Sequence, residues 1–142
     1  MLDHTDKEIL KELLENSRIS MKQLGEKVHL TGQAAANRVL KLEEEGVIEN
    51  YTVTLNQAKI GYPVHTFINI YTKSTKHDPY LSFLDKHQAY VKNNYKISGD
   101  GCYLLECRFP DNSELDEFLT ELNHYTNYKL SIVINKRNGL TT

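Results

Sequence analysis

The sequence predicts an α+β fold, with a helical N-terminal region and a C-terminal region in which strands and helices alternate. Apolar residues recur at helical spacing over the first 48 residues, and period-two patterns rich in strand-forming residues follow from Tyr51 onward. With 142 residues, 39% hydrophobic and 25% charged, the chain has the length and composition of one globular domain or two small ones.

Several classes of protein are not expected from this sequence. No apolar run approaches the ~18 residues of a membrane-spanning helix, and the N-terminal stretch MLDHTDKEIL lacks the basic-then-apolar order of a signal peptide. We therefore expect a cytoplasmic protein without a membrane partner. Cys102 and Cys107 are not at a metal-binding or redox spacing, so we expect small buried residues, no metal and no cofactor.

Residues 1–50 are predicted to form one domain of three helices. Residues 5–16 form the first helix, with Thr5 or Asp6 as its N-cap and an apolar stripe along one face. The core shared by the three helices is predicted to consist of Ile9, Leu13, Leu24, Val28, Val39 and Leu42.

The second and third helices are predicted to form a helix-turn-helix. The second is a short helix that follows Ser20. Thr31 is expected to cap the third helix, because its hydroxyl can accept a hydrogen bond from a free backbone N–H of the first turn. The third helix begins near Gln33 and ends at Gly46, since glycine adopts the left-handed conformation at low cost.

The outward face of the third helix carries small or hydrogen-bonding side chains and no large apolar group. Gln, Asn and Arg can read base edges in the DNA major groove, which admits one helix. The net charge of the chain is −2, yet five basic residues accompany one acid between Arg18 and Lys41. We therefore predict that this face binds double-stranded DNA; the alternative is an ordinary solvated helix face. The candidate DNA-binding residues are Lys22, Thr31, Gln33, Ala34, Asn37, Arg38 and Lys41.

The region after residue 50 is predicted to contain a linker and a second domain. Residues 51–61 are expected to form a linker strand, because Tyr51 to Leu55 alternates with period two. Residues 62–142 follow the order β-α-β-β-α-β, which predicts a ferredoxin-like fold with a four-stranded antiparallel sheet and both helices on one face. The predicted strands cover residues 64–71, 90–98, 103–109 and 128–134, and the helices cover residues 78–88 and the segment after Pro110.

The other face of this sheet has no cover within the chain, so a second subunit is the simplest one. We predict self-association through this face. Phe67, Ile70 and Tyr71 or their neighbours are expected at or near the subunit contacts.

Three short motifs carry a family resemblance. They are the pair Arg38-Val39, the pattern L-x-L-E-x-x-G-V-I from Leu40 to Ile48, and the turn Ser98-Gly99-Asp100. From Leu2 to about Asn135, the chain resembles the Lrp/AsnC family of transcription regulators. This resemblance implies a dimeric or octameric, nucleoid-associated protein whose DNA binding is modulated by an amino acid or a related small effector.

The turn between the predicted strands at residues 90–98 and 103–109 is the candidate effector site. Members of the family often carry Thr-Gly-Asp, one variable residue and a second Asp here. In this chain Cys102 stands in the place of that second Asp. Asp100 can pair with an effector ammonium, and Gly99 and Gly101 can expose backbone N–H groups to its carboxylate. The alternative is a tight hairpin without a ligand. The candidate effector-binding residues are Ser98, Gly99, Asp100, Gly101, Cys102 and Tyr103.

Two other functions are compatible with this pattern. A nucleoid-architectural protein would wrap DNA with little sequence preference. Sirohaem decarboxylases use histidines in a similar frame, and His65 and His124 are the candidates for such chemistry. Because the sequence has no nucleotide-binding glycine loop and no nucleophile elbow, we predict no catalytic residue and no enzyme.

Overall fold

The computed structural model describes residues 1–138 of the chain. The chain divides into two compact units, Met1–Thr54 and Leu55–Thr142, so the division falls inside the segment predicted as a linker. No helix in the described residues is both long and apolar enough to cross a membrane. In chain order the elements are α1 (His4–Glu15), α2 (Met21–Val28), α3 (Gly32–Glu44), β1 (Val64–Thr72), α4 (Asp78–Lys86), β2 (Val91–Lys96), β3 (Tyr103–Phe109), α5 (Asn112–Leu122) and β4 (Thr126–Ile132).

The first unit contains the three predicted helices around one apolar core. The N-cap of α1 differs from the prediction, because it is Asp3 rather than Thr5 or Asp6. The Asp3 carboxylate accepts a hydrogen bond from the Asp6 N–H at 2.8 Å, and the Asp6 carboxylate accepts one from the Asp3 N–H at 3.2 Å. This reciprocal capping box uses an Asp in place of the usual Glu or Gln. The buried core residues are Ile9, Leu13, Ile19, Leu24, Ala35, Val39 and Leu42.

The turn between α2 and α3 requires a glycine that sequence analysis did not single out. The Leu30 N–H donates to the carbonyl of Gly25 at 2.8 Å, and His29 adopts the left-handed conformation at φ 61°. A Cβ atom on Gly25 would lie 2.6 Å from the Leu30 carbonyl oxygen. The turn can therefore pack against α2 only because residue 25 has no side chain.

The exit from α3 follows the prediction. Gly46 has φ 75°, and the N–H groups of Val47 and Ile48 both donate to the Leu42 carbonyl, at 2.9 and 3.1 Å. These bonds satisfy a carbonyl that the helix end leaves free. Ile48 packs on the core, whereas the Val47 side chain is exposed.

The predicted linker strand within residues 51–61 is wrong. The segment Tyr51–Leu55 is in no strand, and Asn56 starts a turn in which its side-chain oxygen accepts from the Lys59 N–H at 3.1 Å. A β-strand requires a hydrogen-bonded neighbour, and the sheet of this chain starts only at Val64. The apolar side chains of this alternating pattern are therefore exposed, and the backbone forms no inter-strand hydrogen bonds.

The second unit confirms the predicted four-stranded antiparallel sheet. Its strand order is β2-β3-β1-β4, with β1 paired to both β3 and β4. Thr66, Ile68 and Ile70 on β1 are fully buried on the face that α4 and α5 cover. Ile70 is therefore not available for the subunit contacts predicted for it. The core on this face also contains Tyr80, Phe83, Leu84, Tyr103, Leu105, Cys107, Phe109, Leu115, Phe118, Leu119 and Leu122.

The opposite face of the sheet, which we call the open face, carries no helix of this unit. Cross-strand pairing places Phe67 opposite Glu106 and Ser131, and Asn69 opposite Leu104 and Lys129. Most of its central side chains are only half-buried. The open face includes His65, Phe67, Asn69, Tyr71, Asn93, Tyr95, Leu104, Glu106, Arg108 and Lys129.

Several element bounds in the second unit differ from the predictions. β4 begins at Thr126 and ends at Ile132, two residues earlier at each end than predicted, and the Thr126 side chain is fully buried. β2 covers only Val91–Lys96, with an irregular register between Val91 and Asn93. α4 ends at Lys86. Hydrogen-bonded pairing across the sheet, which local pattern does not encode, set the limits of the two strands.

Replacing Gly25 with Ala should destabilise the first unit by about 1–3 kcal/mol, because the added methyl group meets backbone atoms that cannot move aside. Helix propensity alone would predict the opposite sign at this interior position of α2. Gly32→Ala is the matched control, since its Cβ would meet Lys22 backbone at a milder 3.3 Å. Thermal unfolding followed by circular dichroism measures both variants, and equal losses would contradict this account.

Candidate DNA and effector sites

The N-termini of α2 and α3 lie side by side. Ser20 caps α2 by accepting from the Gln23 N–H at 3.1 Å, and Thr31 caps α3 by accepting from the Ala34 N–H at 3.1 Å. A Cβ on Gly32 would be only 3.3 Å from the Lys22 Cα, which shows how closely the two helices begin. Two positive helix ends and the exposed Lys22 ammonium thus surround one small surface, which suits a phosphate group.

The exposed face of α3 carries two linked amide side chains. Gln33 Nε2 donates to Asn37 Oδ1 at 3.0 Å, and both side chains are exposed. One turn further, Lys41 is exposed and lies 3.9 Å from Glu45, a weak contact. Ala34 is half-buried beside them. This arrangement offers amide donors and acceptors with a lysine at the edge of the same face.

Arg38, one of the predicted DNA-binding residues, is paired with two carboxylates at the start of α1. Its Nη1 lies 2.6 Å from Asp3 Oδ2 and 3.2 Å from Asp6 Oδ1, so it links α3 to the capping box of α1. The hydrogen bond from Arg38 and the bond from the Asp6 N–H lower the pKa of Asp3 below its ordinary value of 3.8. This guanidinium therefore positions α3 against the start of α1, a contact between residues 35 apart in sequence that local spacing did not reveal.

The Asp100 carboxylate is already paired within the chain. The Tyr71 hydroxyl donates to Asp100 Oδ1, and Lys129 Nζ lies 3.4 Å from Asp100 Oδ2. Asn69 Nδ2 donates to the Asp100 carbonyl at 2.8 Å. The hydrogen bond from Tyr71, followed by those from Lys129, lowers the pKa of the Asp100 carboxyl. Sequence analysis missed these partners, because β1 and β4 supply them from 29 residues away on either side.

The backbone of the turn differs in one respect from the predicted site. The Gly101 N–H donates to the Gly99 carbonyl at 3.1 Å and is therefore not free for an effector carboxylate. Gly101 has φ 104°, and a Cβ there would lie 2.7 Å from the Ile70 carbonyl oxygen. The Cys102 N–H donates to that same oxygen at 2.7 Å, which ties the turn to β1.

The last two predicted effector residues lie away from the Asp100 carboxylate. Tyr103 is buried in the helix-side core, and its hydroxyl is 2.9 Å from His77 Nδ1, so it is a core residue and not an effector contact. Cys102 is half-buried, with its sulfur 3.5 Å from Thr72 Oγ1, and the hydrogen bond from Thr72 lowers the pKa of its thiol. Burial raises the pKa of the Cys107 thiol to about 12, as expected for an inert core cysteine. Ser98 and Gly99 are exposed.

The two histidines considered for an enzyme lie in unrelated surroundings. His65 Nε2 is 2.6 Å from Glu106 Oε2, and Arg108 Nη2 is 3.3 Å from His65 Nδ1. Since a guanidinium can only donate, His65 Nδ1 accepts from Arg108, and the His65 Nε2–H donates to the Glu106 carboxylate. His124 is exposed at the end of α5. Within residues 1–138 no group of His, Cys, Asp and Glu side chains is placed to hold a metal ion.

Sequence comparison matches both units to described domains. Residues 2–49 match a winged helix-turn-helix DNA-binding domain, and residues 65–138 match the Lrp/AsnC ligand binding domain. The chain belongs to the Lrp/AsnC family. The HTH-type transcriptional regulator LrpA of Bacillus subtilis (strain 168) is 56% identical over 136 residues, covering 96% of this chain and 100% of that protein. LrpB of the same strain is 35% identical, covering 94% of this chain and 89% of that protein.

Solved structures of Lrp/AsnC proteins share the whole fold. The structure of Bacillus subtilis LrpC has a TM-score of 0.90 and 27% identity, covering 97% of this chain and 98% of that one. The Neisseria meningitidis regulator NMB0573, solved in complex with L-Met, has a TM-score of 0.88 and 26% identity. The match covers 99% of this chain and 95% of that one. Since its relatives are transcriptional regulators, this Lrp/AsnC protein is a DNA-binding regulator and not an enzyme.

Removing the Arg38 bridge should lower the thermal stability of the first unit at neutral pH. Arg38→Ala and Asp3→Asn should lower the melting temperature, and the double variant should lose less than the sum, because both break one network. The pKa of Asp3 is depressed, so this stabilisation is present above 3.8 and lost as the pH falls through the lower folded-state value. Melting curves between pH 7 and acid measure this; additive losses would show that the bridge is unimportant.

Proposed function

We propose that this Lrp/AsnC regulator binds specific duplex DNA through the N-terminal half of α3. Gln33 and Asn37 read base edges, while Lys22, Thr31 and Lys41 contact phosphates. An amino acid modulates this binding at the turn around Asp100, where subunits meet. The observation that carries the proposal is the exposed Gln33–Asn37 pair beside the adjoining N-termini of α2 and α3.

The amide pair favours a specific regulator over an architectural DNA-wrapping protein. Amide side chains form bidentate hydrogen bonds with adenine, whereas wrapping proteins rely on phosphate contacts and DNA deformability. The 3.0 Å bond between Gln33 and Asn37 restricts both side chains before DNA arrives. This restriction reduces the entropy cost of ordering them on a base pair.

An amino-acid effector is supported by chemistry and by a relative. The NMB0573 regulator, 26% identical to this chain, was solved with L-Met. In this chain the turn presents a carboxylate, Asp100, with an ammonium, Lys129, beside it. These groups match the two charges of an amino acid. The Cys102 position removes one carboxylate that related regulators often have, so the preferred side chain is expected to differ.

Self-association through the open face is the proposed assembly. On this face Tyr95 is exposed and Phe67 and Leu104 are half-buried, around a polar centre of His65 and Glu106. A mixed face of this kind can pair with a second copy of itself about a two-fold axis. DNA half-sites one helical turn apart would then match the two helix-turn-helix units.

Replacing Lys41 and Gln33 separately should distinguish phosphate contacts from base contacts. Lys41→Ala should weaken binding to all sequences similarly and reduce the salt dependence, because phosphate contacts carry no sequence information. Gln33→Ala should relax base preference and leave the salt slope unchanged. Glu49→Ala serves as an exposed control outside α3. Gel-shift titrations on several sequences at two salt concentrations measure this, and identical shifts for both variants would refute the assigned roles.

A charged side chain on the open face should dissociate the assembly. The wild-type protein should scatter light with at least twice the monomer mass of 16.4 kDa. Phe67→Glu should shift it toward the monomer, because it places a charge at the centre of the proposed interface. Leu81→Glu, at an exposed position of α4, is the control and should leave the mass unchanged. A wild-type monomer at micromolar concentration would refute the assembly.

A further inference from the structure

Leu40 is a large apolar side chain on the exposed face of α3. It is 53% exposed, whereas the buried side of the same helix carries Ala35, Val39 and Leu42 into the core. Sequence analysis predicted no large apolar group on the outward face, and that prediction is wrong. Apolar surface left in water gains free energy when a ligand covers it, so the position of Leu40 on the helix decides which ligand it can meet.

The helical repeat aligns Leu40 with the two amide side chains. Leu40 follows Asn37 by three residues and Gln33 by seven, so the three exposed side chains share one side of α3 on successive turns. With the half-buried Ala36 they form a row at i, i+3, i+4 and i+7, the spacing at which a homeodomain helix reads the major groove. An α3 helix in the groove therefore carries Leu40 to base edges beyond those that the amides reach.

We infer that Leu40 contacts the C5-methyl group of a thymine and thereby determines part of the DNA sequence preference. This inference deepens the proposed function, and it rests on the binding of α3 in the major groove. The thymine methyl is the apolar group that base edges offer there, and apolar side chains recognise it. Over the donors and acceptors of the other bases, Leu40 would displace water without replacing its hydrogen bonds, which costs affinity.

Helix geometry determines where this thymine lies in the DNA site. Gln33 and Leu40 are seven residues apart, which is about 10 Å along α3 at about 1.5 Å per residue. Successive base pairs are about 3.4 Å apart, so this length spans about three of them. The thymine that Leu40 contacts should therefore lie about three base pairs from the base that Gln33 reads.

Charged neighbours of Leu40 define the end of the DNA-facing row. Lys41 is the next residue and is exposed at the edge of the same face, where an ammonium can meet a phosphate. Glu44 lies one turn after Leu40 on the same side and is also exposed. Its carboxylate repels phosphates, so Leu40 is the last residue of α3 in line with the amides that is suited to contact a base.

The test uses a DNA site that the full chain selects from a random duplex library. Each thymine of that site is replaced in turn by deoxyuridine, which pairs with adenine in the same way but lacks the C5-methyl group. In gel-shift titrations the wild-type protein should bind at least one substituted site about 4-fold more weakly, the loss expected for one buried methyl group.

Variants of Leu40 assign that loss to this side chain. Leu40→Ala should bind the thymine site and the deoxyuridine site equally, because the shortened side chain does not reach the methyl group. Leu40→Met keeps the length and should retain the preference. Leu14→Ala, at an 88% exposed leucine of α1, is the matched control and should retain the preference as well. Circular dichroism melting confirms that each variant is folded.

Three results would overturn the inference and leave specific DNA binding in place. The first is a selected site in which no thymine is sensitive to deoxyuridine. The second is a Leu40→Ala protein that keeps the thymine preference, since another residue would then contact the methyl group. The third is a Leu40→Ala protein that keeps the preference and scatters light with a lower mass, since Leu40 would then be a subunit contact.

Failure of the proposed function has a different signature. If the library yields no preferred sequence, specific base reading by α3 and the inference about Leu40 both fail. A preferred sequence whose selection depends on Gln33 but not on Leu40 removes only the inference.

Discussion

The close approach of the turn to α2 at Gly25 is the constraint on which the first unit depends. The Leu30 N–H donates to the Gly25 carbonyl at 2.8 Å, and a Cβ atom on Gly25 would lie only 2.6 Å from the Leu30 carbonyl oxygen. This contact sets where α3 begins, and so brings its capped N-terminus beside that of α2. The exposed amides of α3 then project from a fixed position, which a DNA-reading surface requires.

Each unit contains an ion pair that joins residues distant in sequence. Arg38 is held by two carboxylates that also cap α1, so its loss would disturb the helix it belongs to. The Asp100 carboxylate is also paired, with the Tyr71 hydroxyl and with the exposed Lys129 ammonium at 3.4 Å. The Arg38 network links two helices of the first unit, whereas the Asp100–Lys129 pair lies at a surface where water screens it.

The second unit is organised by the two unlike faces of its sheet. Alternation along β1 sends Ile68 and Ile70 into the core beneath the helices and Phe67 and Tyr71 to the open face. Tyr71 and Lys129, the partners of Asp100, lie on the open face, which is also the surface proposed for subunit pairing. An effector bound at the Asp100 turn, as proposed, would therefore influence assembly directly, because both events involve the same side of the sheet.

The sequence by itself determined the element types, the helix-turn-helix, the Thr31 cap, the stop near Gly46 and the β-α-β-β-α-β order, because each depends on local spacing or on single residues with special backbone preferences. Its alternating pattern at Tyr51–Leu55 was misleading, since a strand also needs a partner. Only the tertiary structure decided that Arg38 bridges to α1, that Ile70 and Tyr103 are core residues, and that Lys129 reaches Asp100. These outcomes depend on which distant elements meet, and neither local period nor residue type encodes contacts between them.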